Sequence, residues 1–204
     1  MDISPLLAIP LILSPPTIDG RIGPDEWNSA AGTPGFLEAS GDLAPHQTTV
    51  HAAFDEEHLY LAFVSYNDSG VKGAAKEHDS LALFQDDAFE IYLQPGSEGA
   101  PYFLFAGNAL ETRYDAKGLD GTWDAEWTLA CHREYDTYFV AATWTAEVKI
   151  PFRSLGLKSA PADGTVWRAN FCRDWTAGLA EADLPTKKGS ADFGNRAETD
   201  VTEV

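Results

Sequence analysis

The sequence predicts an all-β protein, an antiparallel β-sandwich with little helix. Apolar residues recur with a period of two, which is the period of a strand, and not with the 3.6 of a helix. The short apolar runs are separated by clusters of Gly, Pro, Asp and Asn, which are typical of turns. Many short strands divided in this way indicate two packed sheets or a barrel.

The first two strands form a predicted hairpin. Val50, Ala52 and Phe54 alternate with their neighbours, a turn follows at 55–57, and residues 58–66 are apolar on both faces, as in a central strand. Later apolar runs predict further strands at 87–93, 102–105, 110–114, 127–133, 138–150 and 166–173.

Two kinds of connection are predicted between these strands. Residues 151–155 form one helical turn, because a proline stands at its start and Gly156 at its end. Residues 70–80 and 176–191 are polar or rich in small residues and are predicted to be loops.

Alternation divides the strand at 87–93 into two faces. Its large apolar side chains share the face predicted to be core: Phe89, Ile91 and Leu93. The opposite face carries Glu90 beside Tyr92. That face is either a solvated surface or a polar, aromatic binding face.

Charge and length restrict the function further. The 204 residues contain 32 acidic and 14 basic side chains, giving a net charge of −18. Such a surface argues against nucleic acid, which is bound by Lys and Arg, and against an anionic membrane. Residues 5–13 are apolar but far shorter than the roughly 20 residues of a spanning helix, so no membrane insertion is expected. We expect an extended N-terminal arm over residues 1–16 and one domain over residues 17–204.

The sequence lacks the familiar groupings of catalytic residues. It has no nucleophile elbow, zinc-protease helix, C-x-x-C pair or phosphate-binding Walker loop. Asp86, Asp87 and Glu90 could supply the two carboxylates of a glycosidase, but acidic pairs are common in so acidic a chain. We therefore do not expect an enzyme.

Calcium and cysteine chemistry are left open by the residues alone. Acidic turns offer the oxygen ligands that calcium prefers, and a structural calcium ion is hypothesised at Asp19, Asp25 and Glu26. Cys131 and Cys172 lie on two predicted strands and form either a disulfide or two buried thiols.

Six segments, in order, carry a family resemblance. They are TIDG at 17–20 with DEW at 25–27, FDEEHLYL at 54–61, DDAFEIYL at 86–93, AEVKIPFRSLG at 146–156, WRANFCR at 167–173 and DFG at 192–194. Together they resemble the family 9 carbohydrate-binding module, within the wider group of DOMON-like β-sandwiches. The resemblance covers nearly the whole chain, from about residue 17 to residue 194.

The resemblance implies a non-catalytic β-sandwich that binds sugars. It further implies bound calcium, an extracellular, periplasmic or cell-surface location, and a larger parent protein with other domains. In the family two aromatic rings sandwich a sugar; the matching positions are Phe84, where a Trp is usual, and Trp175. The polar contacts are implied to come from five side chains: Glu90, Asn108, Arg113, Asn170 and Arg173.

Two other functions for such a sandwich remain open. The first is a structural or assembly domain of a surface or secreted protein, with no sugar binding. The second is a haem-binding relative from the same group, for which the chain lacks a methionine beyond Met1 as axial ligand.

Overall fold

The computed structural model describes residues 6–67, 70–96, 99–136, 141–176 and 196–201. Within these ranges the first sheet contains five strands in the spatial order β1 (Ala31–Thr33), β3 (Thr48–Phe54), β4 (His58–Asn67), β9 (Ala141–Pro151) and β8 (Thr128–Asp136). The second contains six, in the order β2 (Leu37–Glu38), β11 (Arg196–Val201), β10 (Arg168–Asp174), β5 (Ala88–Gln94), β6 (Phe103–Asn108) and β7 (Arg113–Lys117). Neighbouring strands of both sheets pair antiparallel, and the predicted all-β sandwich is confirmed.

An apolar core joins the inner faces of the two sheets. Phe63 of β4 stacks on Phe89 of β5, with ring centroids 4.7 Å apart and planes inclined by 23°. Trp144 of β9 stacks on the same Phe89 ring at 6.2 Å. All three side chains are buried, and each buried side chain of this size stabilises the fold by about 1.5–3 kcal/mol. The alternation of apolar residues along the strands therefore places these three rings together between the two sheets.

Most sequence predictions of strands agree with the structure. The hairpin consists of β3 and β4, and the strand at 87–93 is β5, whose predicted core residues Phe89, Ile91 and Leu93 are buried. The helical turn at 151–155 is a 3₁₀ helix, Phe152–Leu155, which ends at Gly156 with a left-handed φ of +77°.

The strand predicted at 110–114 begins three residues later, as β7. Residues 109–112 form a turn instead, because Oδ1 of Asn108 accepts the backbone N–H groups of Leu110 and Thr112. Sequence patterning also missed β1, β2, β11 and the 3₁₀ helix Leu81–Gln85. The predicted loop at 176–191 lies, apart from Thr176, outside the described residues.

A buried carboxylate fastens the N-terminal part of the chain to the outer face of the five-stranded sheet. Oε1 of Glu147 accepts the indole N–H of Trp27 at 2.9 Å. Oε2 accepts the backbone N–H groups of Asp19 at 3.0 Å and Gly20 at 2.8 Å. Burial raises the pKa of Glu147, and these donors act in the opposite direction. The TIDG…DEW and AEVKIP segments therefore meet at a structural contact.

The described part of the N-terminal arm lies beside β3. The N–H of Ile12 donates to the carbonyl of Phe54 at 2.8 Å, and the N–H of Phe54 donates to the carbonyl of Pro10 at 3.1 Å. An apolar cavity of about 270 Å³ is lined by this arm together with Phe152 and Trp167. The division into an arm and a domain at residue 17 stays a prediction. Among the described residues, none of the helices has the length and hydropathy required to cross a bilayer.

We expect Glu147→Gln to lower the free energy of unfolding by about 1–3 kcal/mol, because an amide NH₂ would replace an oxygen that now accepts a buried N–H. Urea denaturation followed by circular dichroism would measure the loss. Glu134→Gln, at an exposed position of β8, is the matched control and should change stability by less than about 0.5 kcal/mol. Equal effects from both substitutions would contradict the assigned role of Glu147.

Candidate functional site

The outer face of the six-stranded sheet carries a buried acid among small side chains. Glu90 lies between Cys172 of β10 and Ala106 of β6. Glu90 is only 4% exposed, so its carboxylate is not solvated. Tyr92 donates its hydroxyl to Oε2 of Glu90 at 2.5 Å, and lies beside Asn170 of β10. The tyrosine thus fixes the orientation of the carboxylate.

Phe84 lies over the same face. It belongs to the 3₁₀ helix Leu81–Gln85 and packs edge-on against Tyr114 of β7, with ring centroids 5.1 Å apart. Both rings pack against a small cluster that includes Ala88 and Ala106. The structure therefore brings Phe84 and Glu90 together on one side of the sheet.

Trp175 stands on the other side of β5, immediately after β10. Its ring packs against His46 at a centroid distance of 4.0 Å. The next residue, Thr176, donates both its backbone N–H and its hydroxyl to Oδ1 of Asp87, at 2.6 and 3.2 Å. In the order of the sheet, Phe84 therefore lies on the side of β6 and β7, and Trp175 follows β10 on the other side of β5.

Asp86 holds the chain that leads towards Phe84. Its Oδ2 accepts three hydrogen bonds at 2.9 Å, from the backbone of Ala74 and Ala75 and from Nδ2 of Asn108. The next residue, Asp87, holds the same segment, because its Oδ2 accepts the N–H of Lys72 at 2.8 Å. Both carboxylates are buried, so these candidate glycosidase acids serve as acceptors within the fold.

Asn108 is a buried connector in the structure. Its Nδ2 donates to the carbonyl of Ala75 and to Asp86, and its Oδ1 accepts from Leu110 and Thr112. An asparagine amide offers two donors and two acceptor positions, and all four are used. Asn108 was predicted to contact a sugar, but its side chain instead stabilises the turn after β6.

Arg173 points to the core side of β10 and is buried. Its Nη1 donates to Oγ1 of Thr48 and to the carbonyl of Tyr66, both at 3.1 Å, and its Nη2 donates to Oδ1 of Asn67. Burial lowers the pKa of Arg173 to about 10, whereas the neighbouring carboxylate of Asp87 acts to raise it. Arg173 thereby ties the two sheets together.

Arg113 also lies on the core side of its strand. Its Nη1 donates to the carbonyl of Trp127 at 2.5 Å, and the guanidinium stands 5.5 Å from the centroid of that indole. The residues predicted to bind sugar thus do not all share one face of the sheet. Phe84, Glu90, Asn108 and Asn170 belong to the outer face, where Asn108 is buried. Arg113 and Arg173 face the core, and Trp175 follows β10 and packs against His46.

The acids predicted to hold calcium have other partners. Glu26 accepts the backbone N–H of Thr17 at 2.6 Å through Oε1 and that of Gly23 at 3.2 Å through Oε2. Asp19 and Asp25 likewise accept hydrogen bonds inside the same turn. In the described ranges, the ligand atoms that cluster within 4.8 Å of one another belong instead to three other residues: His78, Asp115 and Asp124.

The two cysteines lie in different sheets and are not joined by a disulfide. Cys131 is on β8 and Cys172 is on β10. Burial raises the pKa of the Cys131 thiol. The alternative of a disulfide is therefore not observed in the structure.

Comparison with known proteins identifies related sequences and folds. A family model described as carbohydrate family 9 binding domain-like matches residues 18–172. A family 9 carbohydrate-binding module from Caldicellulosiruptor kristjanssonii is similar in its glucose complex (TM-score 0.57, 16% identity, 83% of this chain and 79% of that chain) and in its cellotriose complex (0.58, 16%, 83% and 77%). A putative carbohydrate-binding protein from Bacteroides uniformis is also similar (0.65, 12%, 96% and 89%). These structural likenesses show the fold, and no curated protein sequence matches the chain.

We expect Arg173→Met to lower the free energy of unfolding by about 2–5 kcal/mol, because the carbonyl of Tyr66 and Oδ1 of Asn67 would each lose a donor inside the sandwich. Urea denaturation would measure this loss. Arg168→Met, at an exposed position on the same strand, should cost less than about 0.5 kcal/mol. A wild-type stability in the Arg173 variant would contradict its role between the sheets.

Proposed function

Because the chain belongs to the carbohydrate family 9 binding domain-like family, we propose that it binds a sugar on the outer face of the six-stranded sheet. The order of the strands supports this proposal: Phe84 lies over the face on the β6 side of β5, Trp175 follows β10 on the other side, and Glu90 belongs to β5 itself. Sugar rings present apolar C–H faces to aromatic side chains and hydroxyl groups to carboxylates and amides.

The family is a non-catalytic binding family, and the chain is not an enzyme. Asp86 and Asp87 agree with this conclusion, since both carboxylates are buried and accept hydrogen bonds from the backbone. Asp86 and Asp87 therefore have a structural role.

Each side chain of the outer face has a proposed role. The Phe84 and Trp175 rings contact the two faces of one sugar residue. The Glu90 carboxylate, oriented by Tyr92, accepts hydrogen bonds from sugar hydroxyls. The Asn170 amide lies next to Tyr92 and adds a further polar contact. Asn108, Arg113 and Arg173 act as positioning residues.

A glucose unit or a short glucose oligomer is the proposed ligand. The glucose and cellotriose complexes of the Caldicellulosiruptor module, which shares this fold, support that choice. We further propose that the chain is an accessory domain of a larger extracellular or cell-surface protein that acts on polysaccharides.

Calcium at Asp19, Asp25 and Glu26 remains a prediction. The turn gives it little geometric support, because among the described residues the ligand atoms that lie within 4.8 Å of one another do not belong to these three acids. Removal of calcium with EGTA would lower the melting temperature if the ion stabilises this turn, and an unchanged melting temperature would count against it.

We expect Trp175→Ala to lower the affinity for cellotriose at least tenfold, a loss of about 1.4 kcal/mol, because one of the two aromatic contacts disappears. Isothermal titration calorimetry with glucose and cellotriose would measure it. Tyr66→Ala removes an exposed ring from the outer face of the other sheet and should leave the affinity unchanged. Absence of sugar binding by the wild type would instead favour an assembly domain.

Phe84→Trp tests the same contact in the opposite direction. The indole offers a larger apolar surface than the phenyl ring, so the affinity for cellotriose should rise several-fold. The same calorimetric titration applies, with thermal denaturation to verify that the variant is folded. An affinity equal to or below that of the wild type would place the sugar away from Phe84.

A further inference from the structure

A mixed nitrogen and oxygen donor set lies near the loop that precedes the Phe84 helix. His78, Asp115 and Asp124 each place a ligand atom within 4.8 Å of the others. They come from three separate segments: the loop before the 3₁₀ helix Leu81–Gln85, strand β7 and the connection from β7 to β8. Strands β5 and β6 separate His78 from the other two residues in sequence, so the grouping is a product of the fold.

The surrounding structure orients two of these donors. Nδ1 of His78 lies 2.9 Å from Oδ2 of Asp79, the arrangement in which a histidine is held by a carboxylate through one ring nitrogen and can bind a metal through the other. Asp115 is fully buried, and its oxygens accept the N–H groups of Ala125 at 2.8 Å and of the Trp127 indole at 2.9 Å.

Negative charge is concentrated at this point. The ligand oxygens of Asp115 and Asp124 lie within 4.8 Å of one another, and Oδ1 of Asp79 accepts the backbone N–H of Asp115 at 3.4 Å, so these carboxylates repel one another. A cation between Asp115 and Asp124 would offset that repulsion.

We propose that His78, Asp115 and Asp124 bind a zinc-like divalent cation. The imidazole nitrogen decides the class of metal, because zinc and similar transition metals accept nitrogen and carboxylate ligands in small sets. Calcium instead takes six to eight oxygen ligands. The remaining coordination positions would be filled by water.

The site would also hold the loop that leads to Phe84. His78 stands two residues before Ser80, whose hydroxyl caps the helix, and Asp115 follows Tyr114, which contacts the Phe84 ring. A bound cation would therefore join both supports of that ring. Cation binding does not itself rest on the proposed sugar binding, and either can fail without the other.

Titration of the whole chain with Zn²⁺ alone, after removal of metals by a chelator, tests the proposal. We expect one ion per chain by calorimetry, with an affinity at least tenfold lower in His78→Gln and in Asp124→Asn. Both substituted positions are exposed, so the variants should fold. Asp120→Asn, an exposed aspartate between β7 and β8 whose Oδ1 accepts from Thr122, should bind as the wild type does.

A second readout separates this site from unspecific binding. Co²⁺ should give a visible absorption band in the wild type that His78→Gln lacks, and Zn²⁺ should raise the melting temperature of the wild type alone. The proposal would be overturned by no Zn²⁺ binding, by equal affinity in His78→Gln and the wild type, or by displacement of Zn²⁺ by an equal concentration of Ca²⁺.

Discussion

Two adjacent buried carboxylates at the start of β5 hold this end of the molecule together. Asp86 collects the backbone of residues 74–75 and the amide of Asn108, and Asp87 collects Lys72 and Thr176. A buried carboxylate is tolerated only when its oxygens accept hydrogen bonds. The segments that donate to Asp86 and Asp87 are therefore held in the positions from which they can form these bonds. The same two residues therefore hold the chain before Phe84 and Thr176, which follows Trp175.

Neighbouring acidic residues in this segment have different roles: two support the fold, and one lies on the proposed sugar-binding face. Asp86 and Asp87 face donors of the fold, whereas Glu90, further along the strand, lies on the outer face between Cys172 and Ala106. The five-stranded sheet repeats the principle, because the buried Glu147 holds the backbone of Asp19 and Gly20. The acidic residues Asp86, Asp87 and Glu147 of the family motifs thus mainly hold backbone segments in place. Asp86 and Asp87 do so next to the proposed sugar-binding face.

Strand alternation was sufficient to predict the sandwich and the two faces of β5, because burial of one face imposes a period of two. It could not predict the three-residue shift of β7, which depends on the side chain of Asn108. Nor could it show that Arg173 faces Thr48 and Asn67, or that Asp87 accepts from Thr176 across 89 residues. Such contacts follow from packing of distant segments, which local sequence does not encode. Phe84 and Trp175 were identified by family resemblance alone.

A crystal structure of the chain with cellotriose is the most direct test of the central claim. The account predicts one glucose residue over the start of β5, between the Phe84 and Trp175 rings, with its hydroxyls within hydrogen-bond distance of Glu90. A sugar bound instead in the apolar cavity beside Trp167, at the opposite end of β10, would contradict it. So would an unoccupied outer face in crystals grown at a cellotriose concentration that saturates the protein in solution.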